Sequence, residues 1–390
     1  MTVASHWYVP GVSGMRASFQ GNISELTTLR FPFAILIAIY HYTNYFSDYE
    51  TTGFVALERL SFVLDFFFIL SGFVLAHIYN DSGRFNYRKY ILRRFFRIYP
   101  LHIVTLFSLI LIFMVGSAMG IEASHPERYQ SDTIWMHLLM VQAWPIDPVI
   151  SFNVPSWSIS AEWFVYLTFP AFLAMRELKR PNLLFAFAIA LTVFWYVFTI
   201  ATTGYSYSDL EGYALARVVI GFILGFALRE WLREYRMPFT SFKGASSILA
   251  IAMASSGLLG LPAVFSIGVF IFFMCAAFER SMAGTKHPYF DNPFWIKLGD
   301  TAFALYLIHM PYAIYMNNLI ELGTGITLPG PSSDPAVFGV FAFLTLSSIP
   351  VAWVAHQFFE QPIAMLAPRF VETSLARFSK TKKPTQLQKQ

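Results

Sequence analysis

Apolar runs of about twenty residues recur along the chain, and no other feature constrains its folding as strongly. A helix of that length crosses the hydrocarbon core of a bilayer. Inside that core every backbone N–H and C=O must be satisfied by protein, so only helices and closed barrels can span it. The runs are long and continuous rather than short and alternating, which favours helices. Ten candidate spans follow, at 29–48, 60–79, 99–119, 160–178, 182–200, 213–230, 245–260, 261–278, 298–320 and 337–358. The seventh and eighth are short and divided only by GLLGLP, Gly257 to Pro262. The expected fold class is an all-α integral membrane protein, a bundle of about ten transmembrane helices.

Charge sets the expected orientation. Only 13% of residues are charged and 56% are hydrophobic, against about 25% charged in soluble domains. With the N-terminus inside, alternate connections carry Arg84, Arg88, Lys89, Arg93, Arg94 and Arg97, then Arg176, Lys179 and Arg180, then Arg229, Arg233, Arg236 and Lys243, then Arg280, Lys286 and Lys297. The opposite connections hold Asp48, Glu50, Glu122, Glu127, Asp132, Asp147, Asp209, Glu211, Glu321 and Asp334. Lys and Arg mark the cytoplasmic side, so both termini are expected there. The net charge of +4 is accounted for by loops facing an anionic leaflet and gives no support to nucleic-acid binding. Residues 1–28 lack the short apolar core of a cleavable signal. A lone cysteine, Cys275, excludes a disulfide framework and any Cys-based metal site, and His125 and His137 are too scattered to form one. The expected organisation is a tail at 1–25, one membrane domain at 26–362 and a tail at 363–390.

Ionisable residues at membrane depth are costly and usually functional. The first span, LRFPFAILIAIYHY, carries Arg30 and His41. They are eleven positions apart, which at ~100° per residue returns them to one helix face, about 16 Å apart along the axis. With the second span running back, Asp65 falls close to the level of His41, and Glu162 in the fourth span near the same outer level. Arg217 in the sixth span is either a partner for one of these acids or a substrate clamp. Arg93, Arg94 and Arg97 cluster toward one side of a helical lead-in to span three. Ser158 and Ser160 read as caps ahead of a helix starting near Ala161, and Trp157 as an interfacial aromatic. Asp300, His309, His356 and Glu360 are assigned mainly to helix packing and ends, with a place lining the cavity as the alternative for His309, and Gly72, Gly221 and Gly225 to close helix approach.

Five strings occur in order: LRFPFAILIAIYHY, DFFFILSGFVLAHIY from Asp65, RRFFRIYPL from Arg93, PSWSISAEWFVYLTFP from Pro155 and LGDTAFALYLIHMPY from Leu298. Together they resemble the acyltransferase-3 family, multi-span membrane enzymes that use acyl-CoA to O-acylate surface or secreted carbohydrates. The resemblance runs from about residue 26 to about 362. Two departures occur: Glu162 is followed by Trp163 rather than a second acid, and Arg30 by Phe31 and Pro32 rather than a small residue. The resemblance implies that Arg30 and His41 belong to the active centre, that Arg94 and Arg97 serve acyl-CoA as co-substrate, and that no permanently bound cofactor or metal is needed. On this reading His41 takes the proton of an acceptor hydroxyl, or carries the acyl group itself, and Asp65 or Glu162 orients its ring. Arg30 and Arg93 join the acyl-CoA-binding set. Trp157, Ser158 and Arg217 would hold the carbohydrate acceptor. The expected setting is the bacterial inner membrane, with lipids as neighbours. The rival from another class is a polytopic transporter or flippase using Arg30, His41 and Asp65 as a relay, although the two halves show no matched broken helices.

Overall fold

The computed structural model describes residues 23–46, 59–79, 85–121, 125–145, 149–203, 213–237, 244–259, 261–324 and 336–366. Most of both tails lies outside these residues, as do Arg84, Asp209, Glu211 and Asp334. Among the described residues the secondary structure is helical, with no strand. The helices are α1 (Ser24–Phe46), α2 (Val63–Ile78, entered through a 3₁₀ turn), α3 (Tyr87–Ala118), α4 (Ile134–Leu139), α5 (Ser156–Leu167), α6 (Phe169–Arg176), α7 (Pro181–Thr203), α8 (Ala214–Trp231), α9 (Ala245–Leu258), α10 (Ala263–Met282), α11 (Pro293–Thr324), α12 (Ala336–Ala355), a π-helical turn His356–Glu360 and α13 (Gln361–Ala364).

Five helical stretches are long and apolar enough to cross a membrane: Leu60–Ile78, Tyr87–Ala118, Pro181–Thr202, Ala263–Met282 and Gly339–Ala364. A sixth is the pair α5 and α6, bent by 51° at its break. Pro170, at the start of α6, accounts for the break, since it has no N–H to give the preceding turn. Four other expected spans do not meet the same test, for reasons visible in their residues. α1 carries Arg30 and His41, α8 carries Arg217, Arg229 and Glu230, α11 carries Asp300, His309 and two asparagines, and α9 is only 14 residues long. Their polar residues turn inward. Large apolar side chains are instead bare on the outside, as with Phe107, Leu111 and Met114 along α3 and Leu183, Phe187, Phe194 and Val197 along α7. Such faces fit lipid rather than water.

Two close helix pairs organise the core: α2 against α8, and α1 against α11. Glycine makes both possible. A Cβ on Gly225 would lie 1.8 Å from the Ile69 carbonyl oxygen, and one on Gly72 would lie 2.1 Å from that of Phe222. In the second pair a Cβ on Gly299 would lie 2.1 Å from the Thr27 oxygen. No side chain fits at such approaches, and small residues let membrane helices come together in this way.

The segment between α3 and α5 docks back onto the bundle. Pro311 deprives α11 of the hydrogen bond normally made to Leu307, and Asn153 Nδ2 donates to the Leu307 carbonyl over 2.9 Å. His102 Nε2 donates to the His137 carbonyl at 2.8 Å, and His137 Nε2 meets Ser151 Oγ at 2.7 Å. Burial, with His102 alongside, pushes His137 down to about 3, so it is neutral and packs the segment. Met140 and Phe152 adopt left-handed backbone (φ 54° and 53°), a strained state for such side chains that the surrounding docking holds in place.

Candidate active site

The polar residues singled out in the sequence lie mainly at three places inside the bundle. The first is His41, 6% exposed. Its Nδ1 lies 2.9 Å from the Ile37 carbonyl and 3.1 Å from His309 Nε2. His309 is fully buried, with Nδ1 3.2 Å from the Leu305 carbonyl. A carbonyl oxygen only accepts, so in each ring the proton is assigned to Nδ1. His41 Nε2 therefore keeps its lone pair. Tyr45, one turn beyond His41, has the Arg128 guanidinium 5.1 Å from its ring centre, which brings the docked segment over this end of α1.

The second place is ionic. Arg30 lies in the field of Asp300, Tyr166, Glu162 and Arg94. Glu162 accepts from Ser71 Oγ at 2.7 Å and Tyr166 OH at 2.5 Å. Arg94 is buried over the rings of Tyr90 and Tyr166. Arg97 pairs with Glu360 and lies 5.0 Å from the Phe303 ring centre, while Arg93 is half-buried beside them on α3. Glu360 also meets His356 Nδ1 at 3.0 Å across the π-helical turn, a rare geometry that concentrates at functional sites. Arg30 thus lies near Asp300 and Glu162, and Arg97 near Glu360 and Asp300, while Arg94 lies among tyrosine rings beside them.

The third place is a single buried pair. Arg217 grips Asp65 through Nε at 2.9 Å and Nη2 at 2.8 Å, and Nη2 also donates to the Ser61 carbonyl at 2.7 Å.

The geometry revises several sequence expectations. Arg217 is a partner for an acid, as one reading had it. Neither Asp65 nor Glu162 hydrogen-bonds to His41. Asp65 is taken by Arg217, and Glu162 sits with Ser71, six residues past Asp65 and about 9 Å further along α2, in the arginine cluster. Ser158 and Ser160 are not caps, because α5 begins at Ser156. Ser158 Oγ meets Tyr306 OH at 2.6 Å, and Ser160 Oγ donates to the Met140 carbonyl. Trp157 is half-buried, its ring 6.2 Å from that of Phe68. Glu360, assigned to packing and helix ends, touches Arg97, and His309 touches His41, which agrees with its alternative reading rather than with packing alone. The signal that singled out His41, an ionisable group at depth, was equally present in both.

The profile of the acyltransferase domain family, acyltransferase-3, matches residues 23–357. The chain belongs to that family. Among curated proteins, it is 29% identical to acyltransferase MdmB of Streptomyces mycarofaciens over 77% of this chain and 82% of that protein. It is 25% identical to the peptidoglycan O-acetyltransferase OatA of Listeria monocytogenes over 48% of this chain, which spans only 28% of that protein. No solved structure matches the chain. The acyltransferase-3 profile covers the His41–His309 and Asp65–Arg217 centres and the ionic cluster apart from Glu360, which lies three residues past its end.

Proposed function

We propose that this acyltransferase-3 protein moves an acyl group, with acetyl the first to test, from acyl-CoA to a hydroxyl of a surface or exported carbohydrate. The observation that carries the reading is the free lone pair on His41 Nε2, held by hydrogen bonds that fix the proton on Nδ1. Nε2 takes the acceptor hydroxyl's proton as its oxygen attacks the thioester carbonyl carbon. The carbon–sulfur bond breaks, and the CoA thiolate leaves with the proton returned from Nε2. Arg30, Arg93, Arg94 and Arg97 receive the donor, since guanidiniums match phosphate oxygens with paired donors. The carboxylates of the ionic cluster already offset much of its positive charge, so a phosphate meeting Arg97 shares it with Glu360. Of the residues expected to hold the acceptor, Trp157 is retained, while Arg217 and Ser158 have their donors engaged elsewhere.

Membranes supplied with labelled acetyl-CoA and candidate glycans should transfer label to glycan, whereas CoA-independent movement of an unmodified solute would establish a carrier instead. In the same assay, Arg94→Lys with Arg97→Lys keeps the charge and loses the guanidinium forks. The KM for acyl-CoA should rise while insertion stays normal, and an unchanged KM removes both residues from the donor site.

The orientation belongs to the same proposal. Ten crossings with both tails cytoplasmic, around a membrane domain at 26–362, put the arginine cluster on the donor side of the bacterial inner membrane and His41 toward the acceptor. An extracytoplasmic reporter signal from a C-terminal fusion would break this arrangement.

A further inference from the structure

We infer that His309 is the positioning residue for His41, occupying the place that an acid fills in most catalytic triads; this rests on the base role proposed above. Among the described residues no carboxylate hydrogen-bonds to the His41 ring. Asp65 is bound by Arg217, and Glu162 by Ser71 and Tyr166. The charged and titratable groups facing His41 are Arg128 from the docked segment and His309 from α11. Arg128 is a cation and cannot accept a hydrogen bond. That leaves His309 Nε2, an acceptor because its own Nδ1–H is directed at the Leu305 carbonyl, 3.1 Å from His41 Nδ1 with the two ring centres 5.0 Å apart.

Ile37, the other acceptor, cannot do this work alone. It lies on α1 with His41, so it moves with that helix and fixes the ring only relative to its own backbone. His309 belongs to α11, which packs along α1, and so fixes the ring relative to the rest of the bundle. Flipping the His41 ring by 180° replaces Nδ1 with a carbon and forfeits both acceptors. The arrangement also acts at the right moment. When Nε2 gains the acceptor's proton the ring becomes a cation, and the bond from its Nδ1–H to a neutral imidazole becomes charge-assisted and stronger. That stabilisation is realised as charge develops, so it favours the transition state over the ground state. His309 is itself held by its neighbours: its carbonyl accepts from Tyr42 OH, and the Tyr306 ring packs beside it.

The test compares His309→Leu, which removes the acceptor, with His309→Gln, whose terminal oxygen reaches the position of Nε2. His309→Leu should lower kcat by about 10²-fold, the scale of a misplaced catalytic group, with KM for both substrates within twofold. His309→Gln should recover most of it. In a His41→Gln background, His309→Leu should have no further effect. Equal kcat in the Leu variant and the wild type overturns the inference. So does a raised KM with kcat intact, which would mark a substrate contact, or equal losses in Leu and Gln with a lowered melting temperature, which would mark packing. A wild type that transfers no acyl group sinks the parent reading instead, and the two failures are separable because one is read in the wild type and the other in the variants.

Discussion

His41→Gln, in protein that folds and inserts normally, should lose acyl transfer by about 10²- to 10⁴-fold, the usual worth of a general base. Glutamine keeps much of the size of the ring and can still hydrogen-bond to the Ile37 carbonyl and to His309, so the bundle has no reason to rearrange. What it lacks is a ring nitrogen whose lone pair can take up a proton and return it. The bland alternative, a histidine that only packs, predicts a loss under tenfold, and that result would withdraw the assignment. The same experiment divides two chemical routes. If wild-type protein incubated with labelled acyl-CoA and no acceptor accumulates label on His41, the residue is a nucleophile and the reaction proceeds in two acyl transfers. If no label accumulates while transfer to acceptor continues, proton abstraction is direct.

Sequence reasoning reached the helical membrane class and the close-packing glycines because both rest on local patterns: run length for the spans, and small residues on a helix face for Gly72, Gly221 and Gly225. Helical periodicity also placed Arg30 and His41 on one side of α1. It failed where the answer depends on which helix lies next to which. Asp65 and His41 were matched by depth, but depth is one coordinate of three, and α8 rather than α1 brings the partner to Asp65. His309 and Glu360 read mainly as packing and helix-end residues, because the sequence does not say that His309 faces α1 or that Glu360 faces α3. α11 runs through Pro311 to Thr324, as the expected span 298–320 requires, and Asn153 from the docked segment takes up the carbonyl that the proline frees. Span number was the least legible feature. Helices that bury their polar residues against one another, such as α1 and α8, need less overall hydropathy than helices that face lipid.

The buried Asp65–Arg217 pair should carry a large stability effect, and it also decides whether Asp65 belongs to the chemistry. Both residues are 5% exposed, and they share two hydrogen bonds of 2.8–2.9 Å. Removing one partner leaves the other charge buried without compensation, at a cost of about 3–5 kcal/mol. Asp65→Asn strands the guanidinium, and Arg217→Gln strands the carboxylate; each should sharply lower the melting temperature in detergent. The double variant Asp65→Asn/Arg217→Gln removes both charges and keeps hydrogen-bonding groups in place, so its loss should be well below the sum of the singles. That non-additivity measures the coupling. Additive losses would mean that the two groups act independently, contrary to the geometry. Activity per folded molecule is the second readout. His41 directs its Nδ1–H at Ile37 and His309 and makes no hydrogen bond with Asp65, so the double variant, once folded, should transfer acyl groups within a few-fold of the wild-type rate. A drop of 10²-fold or more per folded molecule, on the scale of a lost base, would return Asp65 to the active site and require a conformation in which it leaves Arg217 for His41.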